Sequence, residues 1–330
     1  VERVVFNEIT KKAVIHGIEN PRQIEPLLVD AYMARRALDY LVGFNISPIL
    51  WTKLPGSKSA GRVQSVALKL ITEREHEIEL FDPEEFWTLS TKFSDKNNNS
   101  LTANIFQLND KKIEKFSFKN KSEINKASEE VKSKKFNISD ISTKVVNRNP
   151  SGPFTTSTLQ QTASGRLGFG ASRTMQIAQR LYQGIEINGE TIGLITYMRT
   201  DGTNLSTDAI SSLRSYIKTE FGNEYLPNDP LNYSGKKAKN AQEAHEAIRP
   251  TDVIRSPSSV KKYLSPDQHK LYNLIWSRAL SSQMESAKFD RNTITLTSDD
   301  SRTIFKASGS VIKFDGFLKI YKDQKKDDDE

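Results

Sequence analysis

The sequence contains no cysteine and only four histidines, at positions 16, 76, 245 and 269. Without cysteine, the chain can form neither disulfides nor a thiolate zinc site, and an intracellular, cytoplasmic location is the simpler expectation. The histidines are too scattered to suggest a metal cluster. No apolar run approaches the roughly 20 residues that cross a bilayer. The sequence therefore predicts a soluble protein without a membrane partner.

The charge balance is basic, because 48 Lys and Arg residues outnumber 41 Asp and Glu residues and give a formal net charge of +7. A balance of this size is compatible with nucleic acid binding, yet many ordinary proteins share it. With 330 residues, the chain is long enough for two or three domains with their own cores. The placement of charges within motifs is therefore more informative than their sum.

Two stretches rich in Thr, Ile and Phe indicate one β domain that is interrupted by helices. Strand patterns occur at 86–93, 101–108 and 136–146, and again at 293–297, 303–307 and 311–321. Either set alone would bury a sheet face poorly, whereas together they could form one sheet. The predicted fold is multidomain α+β: a helical segment over 1–81, a β-rich domain over 82–149 and 286–330, and an inserted, mainly helical domain over 150–285.

Helical periodicity and capping residues predict where several helices begin and end. Asn7 is a plausible N-cap for a short helix, and an apolar stripe predicts a longer helix over 24–42 with Gly43 as its stop. Ser59 is a good N-cap for the next helix. In the inserted domain, residues 265–268 (SPDQ) form a capping box with proline at the first helical position.

Residues 193–206, GLITYMRTDGTNLS, combine a short predicted strand with a polar loop. In an extended segment, Tyr197 and Arg199 share one face. A phenol ionises near pH 10, so it becomes a useful nucleophile only where positive charge stabilises its oxyanion and the phosphate that it attacks. Arg199 supplies a permanent charge. For an isolated Tyr-x-Arg, however, a half-buried strand tyrosine beside a surface arginine is the more common arrangement.

Two other segments place basic and polar side chains where a phosphate backbone could lie. Arg35, Arg36 and Asp39 fall on the polar side of the second predicted helix, where a solvated face is the alternative interpretation. In the segment 59–65, SAGRVQS, Gly61 lets a ligand approach the backbone at a helix N-terminus, which favours an anion.

The segment around Tyr197 closely resembles the active-site motif of type IA DNA topoisomerases, in the form typical of bacterial DNA topoisomerase I. Three other segments are similar to motifs of this family: ARRALD over 34–39, SAGRVQS over 59–65 and QEAHEAIRP over 242–250. The resemblance extends over most of the chain, from Arg3 to about Tyr321.

The resemblance implies that Tyr197 attacks a single DNA strand and stays linked to its 5′-phosphate, while Arg199 assists cleavage. It also implies DNA contacts by Arg35, Arg36, Asp39, Gly61, Arg62, Gln64, His245 and Arg249. In this family, such a reaction relaxes negatively supercoiled DNA by strand passage without ATP. DNA, single-stranded at the active site, is the implied partner.

The resemblance further implies that the β domain forms an arch carrying the helical domain with the tyrosine. The family holds Mg²⁺ on an acidic cluster in an N-terminal Toprim domain, and this sequence has no D-x-D-x-E pattern. We therefore expect a central fragment, without that domain or the C-terminal part of the core, that cannot complete relaxation alone. We expect a monomer associated with the nucleoid. The alternative is a single-stranded nucleic-acid-binding scaffold in which Tyr197 is structural.

Overall fold

The computed structural model describes residues 1–233 and 246–321. The α-helices in these ranges are α1 (Lys11–Glu19), α2 (Pro26–Lys53), α3 (Arg62–Glu79), α4 (Lys121–Lys132), α5 (Thr156–Leu167), α6 (Ala171–Gln183), α7 (Thr207–Phe221), α8 (Pro257–Val260) and α9 (Pro266–Ser281). The strands are β1 (Ser90–Ser94), β2 (Ser100–Leu108), β3 (Lys111–Lys112), β4 (Phe136–Arg148), β5 (Ile185–Ile187), β6 (Glu190–Ile192), β7 (Ala287–Ser298) and β8 (Ile304–Phe314). This architecture confirms the predicted α+β fold class.

The main sheet joins strands from both β-rich stretches of the sequence. Its order is β1-β2-β8-β7-β4, all pairs are antiparallel, and β3 pairs with β2. The β4–β7 ladder runs from Phe136 opposite Ser298 to Arg148 opposite Ala287. Phe305 is buried on one face of the sheet, where it packs with neighbouring strands and with α4. The division of the chain into domains stays a prediction.

The larger hydrophobic core lies among the helices between β4 and β7. Tyr272 of α9 and Leu181 of α6 are fully buried there. The predicted capping box opens α9 as expected: Ser265 Oγ accepts the N–H of Gln268 at 3.4 Å, and Gln268 Oε1 accepts the N–H of Ser265 at 2.9 Å. Because Tyr272 is buried, its pKa lies above the ordinary value for a phenol.

Helices α2 and α3 form a hairpin whose apolar residues stay largely exposed. The predicted stop at Gly43 is wrong, since α2 continues to Lys53 and carries Pro48 within it. A glycine costs only about 1 kcal/mol in a helix interior, and at this position α2 lies close to the Ala60 carbonyl of the loop before α3. The predicted apolar stripe is not a core face: Leu27 is 82% exposed, and none of the residues of α3 is buried.

Two predicted N-caps are also wrong. Thr10, not Asn7, caps α1, because its hydroxyl accepts the N–H of Ala13 at 3.2 Å. Asn7 stays in the extended segment before the helix. Helix α3 begins at Arg62 with Gly61 as its cap, so Ser59 lies outside it. Among the residues that the structure describes, no helix has both the length and the apolar character that a membrane crossing requires.

Candidate active site

The segment that carries Tyr197 lies between two other extended segments of the chain. On one side, the N–H groups of Gly193 and Tyr197 donate to the carbonyls of Ile9 at 3.2 Å and Asn7 at 2.8 Å. On the other side, the Thr196 N–H donates to the Arg249 carbonyl at 2.9 Å. The strand predicted to reach Thr196 is therefore wrong in detail, because β6 ends at Ile192 and the pairing beyond it is an isolated bridge.

Threonine hydroxyls fix the backbone before and after Tyr197. The buried Thr196 hydroxyl donates to the Ala247 carbonyl at 2.8 Å and accepts the N–H of Arg249 at 3.0 Å. After the tyrosine, the hydroxyl of Thr156 in α5 accepts the N–H of Thr200 at 2.8 Å. The segment is therefore anchored through buried and partly buried residues on both sides of Tyr197.

The side chain of Tyr197 is 39% exposed, although its backbone is held on both sides. Met198 and Thr200 are buried, whereas Arg199 is exposed. This alternation places Tyr197 and Arg199 on the solvent side of an extended segment. Within the described ranges, the Arg199 side chain has no hydrogen bond or ion pair, so its guanidinium is available to an anion.

A second tyrosine packs against the first. The rings of Tyr182 and Tyr197 meet edge to face, with centroids 5.3 Å apart. Burial, and then the nearby Tyr197 phenol, raise the pKa of Tyr182 above the ordinary value of 10.0. Tyr182 therefore stays uncharged at neutral pH and orients the Tyr197 ring without repelling an anion.

Gly193 is required where it stands because two backbone segments approach it closely. A Cβ at this position would lie 2.6 Å from the Tyr182 carbonyl oxygen and 3.0 Å from that of Ile9. Distances of this size to backbone atoms cannot be relieved by rotating a side chain. Glycine thus lets α6 and the N-terminal segment both lie against the tyrosine segment.

Arg249, predicted to contact DNA, has protein partners on its guanidinium. It pairs with Glu246 at 2.7 Å and with Glu8 at 3.1 Å, and only 11% of its side chain is exposed. Arg199 and Arg249, both predicted from the sequence, therefore have opposite environments. The first is exposed and available, and the second is buried and neutralised.

The remaining predicted DNA-binding residues in the described ranges lie on α2 and at the start of α3. Arg62 binds Asp39 through two hydrogen bonds of 2.9 and 3.3 Å. Arg62, and more weakly Arg35, hold the pKa of Asp39 below its ordinary value. Gln64 folds back onto Gly61, where an added Cβ would lie 2.1 Å from the amide oxygen. Arg36 is exposed beside them. These residues of α2 and of the start of α3 are called here the hairpin cluster.

His245 lies outside the described residues. Within 1–233 and 246–321, no group of three or more histidines and carboxylates is placed to hold a metal ion. The resemblance places the Mg²⁺ ligands outside this chain, so that expectation stays a prediction.

Sequence reasoning missed the residues that anchor the tyrosine segment. Asn7 and Ile9 act through carbonyl oxygens, for which the side chains give no signal. Thr156 lies in the segment 153–161, PFTTSTLQQ, where hydroxyl residues before a helix are typical of N-caps. Its neighbour Thr155 is indeed the cap of α5, while Thr156 turns toward the tyrosine segment.

Comparisons of the sequence with a family model and with known proteins all match DNA topoisomerases. A family model for DNA topoisomerases matches residues 23–330. DNA topoisomerase 1 of Rickettsia felis is 54% identical over 329 residues, which cover 100% of this chain and 42% of that protein. DNA topoisomerase 1 of Zymomonas mobilis is 49% identical over 327 residues, which cover 99% of this chain and 26% of that protein.

Among solved structures, full-length topoisomerase I from Thermotoga maritima superposes with a TM-score of 0.80 at 38% identity, covering 97% of this chain and 50% of that one. The chain spans less than half of the Rickettsia felis protein. The match nevertheless includes the tyrosine segment, the hairpin cluster and the sheet. The chain therefore belongs to the DNA topoisomerase family, and the resemblance to its bacterial type IA members is confirmed.

Proposed function

We propose that this chain is the central part of a type IA topoisomerase that cleaves one DNA strand with Tyr197. The Tyr197 hydroxyl attacks a backbone phosphorus, a 5′-phosphotyrosine bond forms, and the strand leaves with a 3′-hydroxyl. Another strand or duplex passes through the gap, and the 3′-hydroxyl then reverses the reaction. Because the phosphoester energy is kept in the tyrosine link, relaxation of negatively supercoiled DNA needs no ATP.

One observation carries this proposal: a phenol that is accessible to solvent stands on a backbone fixed from both sides. Backbone hydrogen bonds hold Tyr197 and its neighbours, while the ring is 39% exposed. Arg199 adds an unpaired positive charge on the same side. A fixed nucleophile beside a permanent cation suits attack on a phosphodiester, since the cation stabilises the charge on the phosphate oxygens.

The hairpin cluster is the second part of the proposal. We assign Arg35, Arg36, Asp39, Gly61, Arg62 and Gln64 to a groove that binds single-stranded DNA through its phosphates. His245 is proposed as a further DNA contact. Mg²⁺ would be held by residues outside this chain, and the fragment alone would not complete relaxation. The protein would act as a monomer on nucleoid DNA in the cytoplasm.

The test is a covalent adduct trapped by denaturation with detergent. The protein used is this chain joined to the flanking segments of the Rickettsia felis relative, called here the extended protein. We expect a 3′-end label on a single-stranded oligonucleotide to become attached to protein, whereas a 5′-end label is released. Tyr197→Phe keeps the ring against Tyr182 and removes only the hydroxyl, so it should abolish the adduct.

The same experiment separates catalysis from the alternative function. A single-stranded nucleic-acid-binding scaffold would retain the oligonucleotide under native conditions and give no adduct with either label. An adduct that carries the 5′-end label would contradict the assigned polarity. An adduct that persists in Tyr197→Phe would contradict the assigned nucleophile.

A further inference from the structure

We propose that Arg249 is a positioning residue that holds the backbone of Tyr197 in place and does not contact DNA. It does so through a brace, defined here as Glu8, Arg249 and Glu246. The consequence for catalysis rests on the proposed function of Tyr197. The brace itself rests only on the geometry of these three side chains and the segments that carry them.

Four of the five N–H donors of the Arg249 guanidinium have acceptors within the chain. Nε donates to Glu246 Oε1 at 2.7 Å, and Nη2 donates to Glu246 Oε2 and to Glu8 Oε2, both at 3.1 Å. Nη1 donates to the Pro250 carbonyl at 3.0 Å. The exposed fractions of the Arg249 and Glu8 side chains are 11% and 19%. A phosphate that took two N–H groups of this arginine would therefore have to displace at least one of these acceptors.

The charge of the brace also argues against a phosphate site. Two carboxylates face one guanidinium, so the group carries a net negative charge that repels DNA. Breaking one of these pairs would leave a partly buried carboxylate without its partner, which is strongly unfavourable. The same arrangement is suited to holding two segments of backbone together, because the planar fork fixes the direction of both contacts.

The brace joins the two segments that flank the tyrosine. Glu8 follows Asn7, whose carbonyl accepts the N–H of Tyr197. Arg249 bonds Thr196 from the opposite side through its own N–H and carbonyl. The side chain of Arg249 therefore crosses from one flank of the tyrosine segment to the other. Tyr197 is held between segments that the brace keeps at a fixed separation.

The brace lies at the wall of a cavity between the N-terminal segment and α7. The cavity has a volume of about 730 Å³, and Glu8, Glu246 and Arg249 line it together with α1 and the start of α7. Besides the brace, the ion pair that spans these elements in the described ranges is Lys12 with Asp208 at 3.3 Å, with side chains 88% and 85% exposed. Exposed pairs of this kind contribute little to stability. Of the ion pairs between these elements in the described ranges, the brace is therefore the less exposed one.

Glu246 extends the brace to the helix that follows the tyrosine loop. Its Oε1 accepts the N–H of Ser206 at 3.0 Å, at the point where α7 begins. Glu8 in turn accepts the hydroxyl of Thr10, the N-cap of α1. The three side chains therefore fix the entry to two helices as well as the two flanks of the tyrosine segment.

Hydrogen exchange on this chain tests the brace directly. Glu8→Gln keeps the size of the side chain and removes its charge, and Arg249→Lys keeps the charge and removes the fork. In both variants, we expect the amides of Gly193 and Tyr197 to exchange at least about ten-fold faster, while amides in the core of α9 are unchanged. Asp208→Asn breaks the exposed pair and serves as the matched control. Unchanged exchange at Gly193 and Tyr197 in both brace variants would overturn the proposal.

Kinetics in the extended protein test the positioning role. We expect Arg249→Lys to lower the rate of adduct formation at saturating DNA by about ten-fold or more, with the KM for the oligonucleotide changed less than about two-fold. A raised KM with an unchanged rate would assign Arg249 to the DNA contact and refute the proposal. If the unsubstituted protein formed no adduct, the proposed function would fail, while the exchange result would still decide the brace.

Discussion

The hydroxyl of Thr156 accepts the N–H of Thr200 at 2.8 Å, and the N–H of Thr156 donates to the Thr200 carbonyl at the same distance. The first turn of α5 is thereby joined to the residue that follows Arg199. The Thr156 hydroxyl also donates to the Met198 carbonyl at 2.8 Å. Arg199 stands between two residues whose backbones are fixed by one threonine, although its own side chain is exposed to solvent.

Replacing this threonine should loosen the segment that carries Arg199. Thr156→Val keeps the shape but leaves the Thr200 N–H without its acceptor, so we expect the free energy of unfolding to fall by about 1–2 kcal/mol. Thr156→Ser keeps the hydroxyl and should lose less than half of that. Urea unfolding measures both variants. A larger loss in Thr156→Ser than in Thr156→Val would show that the methyl group, not the hydrogen bond, stabilises this contact.

Adding a methyl group at Gly193 should separate the tyrosine segment from its neighbours. A Cβ would lie 2.6 Å from the Tyr182 carbonyl oxygen, so we expect Gly193→Ala to destabilise the chain by about 1–3 kcal/mol. Gly165→Ala is the control: nothing lies within 4 Å of its added Cβ, and alanine should stabilise α5 by about 0.5–1 kcal/mol. Thermal unfolding should show a lower Tm for Gly193→Ala and a higher Tm for Gly165→Ala. An unchanged Tm in Gly193→Ala would refute the close approach of the two backbone segments.

The paired tyrosines should influence each other's ionisation. Burial raises the pKa of Tyr182 above 10.0, and negative charge on the Tyr197 phenolate raises it further. In Tyr197→Phe the second cause is removed, so the pKa of Tyr182 should fall while staying above 10.0. NMR titration of ring-labelled tyrosine measures this shift. Tyr263→Phe removes a phenol that is not among the causes of this shift, so it is the control and should leave the pKa of Tyr182 unchanged.

Acid should weaken the end of the sheet through Asp300. The Ser298 hydroxyl, the Arg302 N–H and the Lys134 ammonium lower the pKa of Asp300 to about 2. Since the unfolded chain has the ordinary value of 3.8, this stabilisation is complete above about pH 5 and is lost as the pH falls toward 2. Urea unfolding of wild type and Asp300→Asn should therefore differ most above about pH 5 and converge near pH 2. A difference that grows with acid would contradict this assignment.

Arg62 should contribute to binding of single-stranded DNA. If the hairpin cluster forms the proposed groove, Arg62→Ala should weaken binding of a fluorescent oligonucleotide and reduce the salt slope by about 1. Lys96→Ala removes the same charge from the turn between β1 and β2 and is the control. Equal effects of the two substitutions would indicate binding through overall charge and not through the groove.

The sequence predicted those elements that depend on neighbouring residues, such as helix caps and strand alternation. The capping box at residues 265–268 opens α9, and the Thr/Ile alternation near Ile294 lies in β7. Gly43 does not end α2, because a single glycine costs only about 1 kcal/mol in a helix interior and α2 continues to Lys53. Asn7 is not a cap because α1 begins at Lys11, where Thr10 occupies the N-cap position.

Arg199 and Arg249 of the candidate site differ in whether their surroundings depend on neighbouring residues or on distant ones. A motif identifies which residue type stands at a position, but the partner of that residue depends on the fold. Glu8 lies 241 positions before Arg249, and no periodicity or spacing in the sequence connects them. The solvent exposure of Arg199 is predictable from the sequence, because it is set by alternation within one short extended segment.

The interrupted sheet has a consequence for the order in which the chain folds during synthesis. Strand β4 leaves the ribosome with its ladder partner, β7, still untranslated, and the helices that carry Tyr197 emerge between them. Once those helices pack, Arg148 and Ala287 are brought opposite each other, which shortens the loop that the β4–β7 ladder must close. The helical unit between β4 and β7 therefore acts as an internal template for the two strands that flank it.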